Sequence, residues 1–167
     1  MGRSPGGAAA SLDPVASRDW VGAPRMTRNS RFAVSVHILA YLAYRAGSAV
    51  PSAEIAESVD TNPVVIRRLL SALTKARIVV AQKGAQGGFS LARDPHAISL
   101  LDVFRAVNPQ QNGFASFAPN PLCPVGAKIE TILAGLFAQA RASMEAELGR
   151  ASLATIHQQV QQTCAAK

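Results

Sequence analysis

Cysteine, aromatic side chains, charge and long apolar runs are all scarce in this chain of 167 residues. Two cysteines, Cys123 and Cys164, exclude a disulfide framework and fall short of the roughly four ligands of a structural zinc site. No apolar run reaches the ~18 residues that a membrane span needs. The best, residues 32–43, is interrupted by Ser35 and His37, so no membrane partner is expected. Aromatics make up 5% and charged residues 16%, against 49% apolar residues. A disordered chain would be more charged and less apolar; this length and composition fit one domain, or one small domain with an appendage. Acidic residues are the scarcer sign: 10 Asp and Glu oppose 17 Lys and Arg, for a net charge of +7. A basic, cysteine-poor chain points to the cytoplasm and an acidic partner, with nucleic acid first.

Catalytic signatures are also missing. The three histidines, His37, His96 and His157, are dispersed, and no Ser/His/Asp arrangement accompanies them. Gly84, Gly87 and Gly88 lack the Lys-Ser/Thr and the helix that follow a phosphate loop. There is no βαβ series and no internal repeat. The chain does not read as an enzyme.

The basic excess is concentrated in the middle. Residues 1–25 carry three Arg and two Asp, residues 26–105 carry ten Lys and Arg and five acids, and residues 106–167 carry four and three. This is the pattern of a binding domain followed by a nearly neutral one. The first 25 residues are rich in Gly, Ala, Ser and Pro without apolar periodicity and read as a disordered extension. Met26 directly precedes the first patterned segment, so the extension is either a real tail or lies upstream of the natural start.

From there the periodicity predicts a helix over residues 31–45, with Phe32, Val36, Leu39, Ala40 and Ala43 as its stripe and Gly47 as its stop. Ser52 is predicted to cap a short helix over 53–59, with Glu54 in its first turn. After a break at Asp60-Thr61, Asn62 caps the next helix and Pro63 takes its first position, where a missing N–H costs nothing. That helix runs to about 77. Ile66, Leu69, Leu70 and Leu73 form its apolar stripe, and Val64, Arg67, Arg68, Ser71 and Lys75 its opposite face, with Val65 beside it. Residues 78–81 and 89–92 read as a β-hairpin whose tip, 83–88, is basic and glycine-rich. Ser99 and Asp102 form a capping box for a helix to about 107. Residues 108–122 are loop. Pro124 then opens a helix of roughly 25 residues striped with Ile129, Ile132, Leu133, Leu136, Phe137, Ala140, Met144 and Leu148, and a last short helix carries Leu153, Ile156 and Val160.

Helix, short helix, tight turn, helix and hairpin is the order of a winged helix-turn-helix. The fold class is therefore mostly α with a small β-hairpin wing: a DNA-binding domain over 26–107, a loop over 108–122 and dimerisation helices over 123–163. The second helix of the pair enters a major groove by its N-terminal end. Asn62, Pro63, Val64, Val65, Arg67, Arg68 and Ser71 are expected at base edges and Lys75 at phosphate, since guanidinium forks suit both guanine and phosphate. Lys83, Gln86, Gly87 and Gly88 serve the wing, where a glycine backbone can approach DNA closely. Arg28, Asn29, Ser30, Arg31 and Ser52 are further contact candidates. A long apolar helix such as the one after Pro124 is too large for a small monomer to cover, which favours a homodimer and hence a pseudo-palindromic operator in double-stranded DNA. The alternative class is a winged-helix adaptor for proteins, or an architectural module. Such a protein would lack the steep salt dependence of phosphate contacts.

These residues resemble the Rrf-two family of bacterial winged-helix regulators, which includes the iron–sulfur regulator IscR, the nitric-oxide sensor NsrR and the cysteine-metabolism regulator CymR. The matching stretches are Asn29-Ser30-Arg31-Phe32-Ala33-Val34 with His37 and Leu42-Ala43, Ile55-Ala56-Glu57-Ser58-Val59, residues 63–73, and Lys75-Ala76-Arg77-Ile78-Val79. They continue through the wing Lys83-Gly84-Ala85-Gln86-Gly87-Gly88-Phe89, Leu91-Ala92-Arg93, Ile98-Ser99-Leu100-Leu101-Asp102-Val103 and Cys123-Pro124-Val125-Gly126. The resemblance covers about 26–160. It implies a homodimeric transcriptional regulator, a repressor of the cluster-free branch, acting on the nucleoid in the cytoplasm.

Cluster-binding members resemble one another in three cysteines ahead of the long helix. Here Cys123 is alone, and Gly126 stands where a histidine ligand would lie. No cofactor is therefore expected, although a site shared between Cys123 of one subunit and His37 of another stays open. Cys123 sits at or next to a helix N-terminus, which favours the thiolate. It is a candidate oxidant or thiol sensor, or else a residue chosen for packing.

Overall fold

The computed structural model describes residues 28–84, 87–108, 120 and 122–165, apart from the side chains of 28, 29, 127, 164 and 165. The extension over 1–25, most of the loop over 108–122, Gln86 and the side chains of Arg28 and Asn29 thus lie outside the described residues. Among the described residues six α-helices and one hairpin follow in order: α1 (Arg28–Tyr44), α2 (Ser52–Val59), α3 (Pro63–Lys75), β1 (Val79–Gln82), β2 (Gly88–Leu91), a 3₁₀ turn at Pro95–Ala97, α4 (Leu100–Val107), α5 (Gly126–Arg150) and α6 (Leu153–Ala165). No helix among the described residues is long and apolar enough to cross a membrane.

The core gathers one face from every element of the helix-turn-helix. Ile38, Leu39 and Leu42 of α1, Ile55 and Ala56 of α2, the whole predicted stripe of α3, Val79 of β1, Val103 and Val107 of α4 and Leu153 of α6 are buried together. In α1 this differs from the expected stripe. Val36 and Ala40 stay half-buried, whereas Ile38 and Leu42 are buried in their place. From Phe32 on, the helix is apolar nearly all round, so periodicity alone cannot choose the face that meets the core.

Local signals set most boundaries. Gly47 adopts φ +91 just past α1. The backbone N–H of α2's C-cap, Asp60, returns to Ala56 and Glu57 in a left-handed conformation, the geometry in which helices commonly end. Ser52 is not the cap predicted for α2: Pro51 holds that position without a side-chain bond and Ser52 is the first helical residue. The hairpin pairs Val79 with Leu91 and Gln82 with Gly88; each strand lies one residue nearer the turn than expected, and the expected strands share this register. Ser99 and Asp102 do form a capping box on α4.

The C-terminal helices are tied back by backbone pairs. Leu100 N–H donates to Ala151 at 2.9 Å and Leu153 N–H to Ile98 at 2.9 Å. Glu145 on α5 accepts from Arg105 of α4 at 2.7 Å and from Arg141 at 2.8 Å. Arg141 first, then Arg105, hold its carboxyl below the ordinary value of 4.5. A carboxylate depressed by folding stabilises above its unfolded pKa and loses that contribution as pH falls through its folded one. In denaturant titrations Glu145→Gln should therefore lag wild type at pH 7 and converge with it in acid.

Candidate nucleic-acid interface

The interface is built from α3 outward. Asn62 Oδ1 accepts the Val64 N–H at 2.8 Å and Pro63 occupies the first turn. Asn62→Ala should cost about 1 kcal/mol in thermal unfolding. With one face of α3 locked in the core, the other is free. Val64, Arg67, Arg68 and Ser71, spaced three and four apart, line one shallow recess of about 370 Å³. Val64 is 48% exposed, an apolar side chain of the kind that meets a thymine methyl. Arg67 donates from Nε back to the Pro63 carbonyl at 3.3 Å. Arg68 is exposed and has no partner among the described residues. Lys75 is exposed in the last turn, where its charge also complements the helix dipole.

Val65 is corrected by the structure: it is half-buried and packs against the core rather than facing outward. Ser52, Ser30 and Arg31 are half-buried, with the Arg31 carbonyl accepting from Ser35 Oγ at 2.8 Å. Lys83 is exposed where the wing turns. The adjacent glycines have a role within the protein. A Cβ on Gly87 would lie 2.6 Å from the Gln82 carbonyl oxygen, and one on Gly88 would lie 2.6 Å from the Val50 backbone. These glycines let the wing close on itself and on the segment before α2, which is a different reason from approach to DNA. Arg77 is not among the contact candidates read from the sequence. It is exposed at φ +56 just after α3, a position where glycine is usual, and it adds a cation beside Lys75. The helical periodicity carries on to about residue 77, so the sequence does not mark Arg77 as lying outside the helix.

Cys123 lies ahead of α5, which begins at Gly126 rather than at Pro124. It is exposed. Hydrogen bonds from the backbone of Gly126, then Val125, pull its thiol below the ordinary value of 9.0. His37 meets Ser58 Oγ at 3.2 Å.

Residues 28–159 match the model of the Rrf2 family, described as an iron-dependent transcriptional regulator. YwnA of Bacillus subtilis, assigned as an HTH-type transcriptional regulator, is 47% identical over 126 residues, covering 75% of this chain and 92% of that protein. A crystal structure assigned as a DNA-binding protein is 43% identical with a TM-score of 0.62, over 76% of this chain and 98% of that one. The cysteine regulator CymR of B. subtilis shares the fold at 22% identity and a TM-score of 0.59, over 77% and 94% of the two chains.

The family's description implies iron. Between residues 106 and 126 the sequence offers one thiol, Cys123, and no His, Asp or Glu. Among the described residues no group of three or more His, Cys, Asp or Glu is placed to hold a metal ion. Within one chain this donor set falls short of the roughly four protein ligands that an iron–sulfur cluster takes. The helix-turn-helix, the wing and the family match agree on one identification: the chain belongs to the Rrf2 family of transcriptional regulators.

Proposed function

We propose that the protein is a sequence-specific repressor that binds a pseudo-palindromic site in double-stranded DNA as a homodimer, in the cytoplasm and without an iron–sulfur cluster. The observation that carries this reading is the exposed face of α3, where Val64, Arg67, Arg68 and Ser71 surround one recess at the N-terminal half of the helix. That is the part of a recognition helix that meets base edges. Lys75, Arg77 and Lys83 supply cations for phosphate, which positions the helix without reading sequence. The homodimer is supported by α5. Among its described side chains, none from Lys128 to Gly149 is buried within the chain. Selection of fragmented genomic DNA by the purified protein, followed by sequencing, tests the proposal. Enriched fragments sharing an inverted repeat are expected; uniform enrichment with a folded dimer would overturn sequence specificity.

Cys123 is the proposed sensor of an oxidant or small thiol. With its pKa lowered, more of it is thiolate at neutral pH than in an ordinary cysteine. Alkylation of Cys123 should outpace that of a peptide thiol. The Cys123→Ser protein should keep its DNA affinity after peroxide treatment while wild type loses it, and equal loss in both would remove Cys123 from the signal.

A further inference from the structure

Helix α3 carries one side chain that folding does not account for. Val64 is 48% exposed in the first turn. Its neighbour Val65 packs against the core, so the turn is already anchored. A β-branched residue is a poorer helix former than a straight-chain one, because its χ1 is restricted, and an apolar side chain left in water gains nothing. Yet Val64 is held rigidly. Its N–H donates to Asn62 Oδ1 at 2.8 Å, Pro63 fixes the backbone before it, and its own χ1 is stiff. The start of α3 therefore presents a fixed pair of methyl groups.

Those methyls line the recess of about 370 Å³ together with Arg67, Arg68 and Ser71. No carboxylate or carboxamide lines it, and no Asp or Glu occurs between Asp60 and Asp94. In the major groove each base shows a different edge. Cytosine offers an amino donor, which Asp or Glu accepts. Adenine offers a donor beside an acceptor, which Asn or Gln matches. The recess supplies neither partner. It supplies apolar surface and guanidinium donors, which match the other two bases: the 5-methyl of thymine, and the N7 and O6 acceptors of guanine.

Spacing makes the two bases neighbours. Val64 and Arg68 are four residues apart on one helix face, with about 5–6 Å between their Cβ atoms. Successive bases on a strand are about 3.4 Å apart. The long Arg68 side chain, which has no partner among the described residues, covers the difference. Arg67 is drawn back toward the helix start by its Nε bond to the Pro63 carbonyl at 3.3 Å, which leaves Arg68 the freer fork for a bidentate contact. The feature that an apolar wall senses in thymine is its methyl group. 5-Methylcytosine carries the same methyl at the same ring position, whereas cytosine and uracil lack it.

We propose that Val64 and Arg68 together read a thymine–guanine step in each half-site, Val64 by the thymine 5-methyl and Arg68 by N7 and O6 of the guanine on its 3′ side, and that 5-methylcytosine replaces thymine at that step where cytosine does not. This rests on the sequence-specific reading above and names the bases that its α3 face selects. Val64 is then a specificity-determining residue, and methylation of a cytosine–guanine step is a mark that the protein distinguishes.

The test uses the full chain and a synthetic duplex of the repeat selected from genomic DNA, with affinity by fluorescence anisotropy as the readout. Each thymine is replaced in turn by uracil, which lacks only the methyl, at equivalent positions of both half-sites. At one thymine per half-site, with guanine on its 3′ side, wild type should bind about tenfold more weakly, roughly three- to fourfold per buried methyl. Val64→Ala, a change at an exposed position, should bind the thymine and uracil duplexes within about twofold of each other. At the same position wild type should bind 5-methylcytosine about tenfold more tightly than cytosine, and Val64→Ala should bind them alike. 7-Deazaguanine in place of the following guanine should weaken wild type at least about fivefold and leave Arg68→Ala unchanged. A duplex with no uracil-sensitive thymine, a uracil penalty that survives Val64→Ala, or equal binding of 5-methylcytosine and cytosine would each overturn the role of Val64. A 7-deazaguanine penalty that survives Arg68→Ala would overturn that of Arg68. Enrichment without any shared repeat would instead overturn the sequence-specific reading itself.

Discussion

Gly88→Ala is expected to destabilise the protein by about 3 kcal/mol, although it adds a single methyl group. Its Cβ would lie 2.6 Å from both the carbonyl carbon and the oxygen of Val50, and 2.9 Å from the Val50 nitrogen. These are backbone atoms, so no side-chain rotation relieves the overlap. The two segments are held by a reciprocal pair of hydrogen bonds, Val50 N–H to Phe89 at 2.9 Å and Phe89 N–H to Val50 at 2.9 Å. Overpacking costs about 1–3 kcal/mol, and each hydrogen bond that opens removes roughly 0.5–1.5 kcal/mol. For a chain of this size about 3 kcal/mol corresponds to a fall in Tm of roughly 6–12 °C. Gly135→Ala is the control. Gly135 is exposed within α5 and nothing lies within 4 Å of its added Cβ. Relief of glycine's helix penalty, up to about 1 kcal/mol, should leave that variant no less stable than wild type. Comparable losses in both would show that the wing does not depend on close approach to Val50.

Gly88 also shows where sequence reasoning reaches its limit. The glycines of the wing were legible as a turn, but the reason for them was not. The partner of Gly88 lies before α2, and contacts between distant segments leave no periodic trace. The α3 face was legible because a core stripe at three- and four-residue spacing dictates what remains outside: burial of Ile66, Leu69, Leu70 and Leu73 leaves Val64, Arg67, Arg68 and Ser71 together. Val65 sits at the boundary between the two faces, and only the packing of neighbouring elements decides it. In α1 every position from Phe32 to Tyr44 except Ser35 and His37 is apolar. The sequence could announce a buried helix there but could not separate the core face from the half-buried one. The α5 stripe mixes the half-buried row at Ile129, Leu133 and Phe137 with the exposed row from Ile132 to Met144, a division that the spacing of apolar residues does not reveal. The caps at Asn62 and Ser99 were legible because each bond spans two or three residues.

Replacing Arg68 by Ala is expected to weaken specific DNA binding by about 1–3 kcal/mol, or roughly 5- to 150-fold, if its guanidinium reads a base. Arg67→Ala falls in the same range, but the two differ in the free protein. Arg67 already donates to the Pro63 carbonyl at 3.3 Å and must release that bond to use Nε on DNA. Arg68 has no partner among the described residues to give up. An arginine that exchanges one acceptor for another gains less on binding than one that exchanges only water, so Arg68→Ala should be the more damaging change. The kind of loss then assigns the role. A base-reading arginine takes specificity with it: affinity falls for the selected site and stays nearly level for random duplex. A phosphate-contacting arginine weakens both alike and lowers the log–log salt slope by about 0.9 per contact. Lys83→Ala, at the wing, should show the second pattern. Both substitutions on α3 are at exposed positions, where changes in stability stay within about 0.5 kcal/mol, so unfolding does not account for a loss of the expected size. Binding measured for each variant at two salt concentrations on both duplexes therefore separates reading from anchoring. Uniform losses for both α3 arginines would move the base-reading role to Val64, Ser71 and the cap at Asn62.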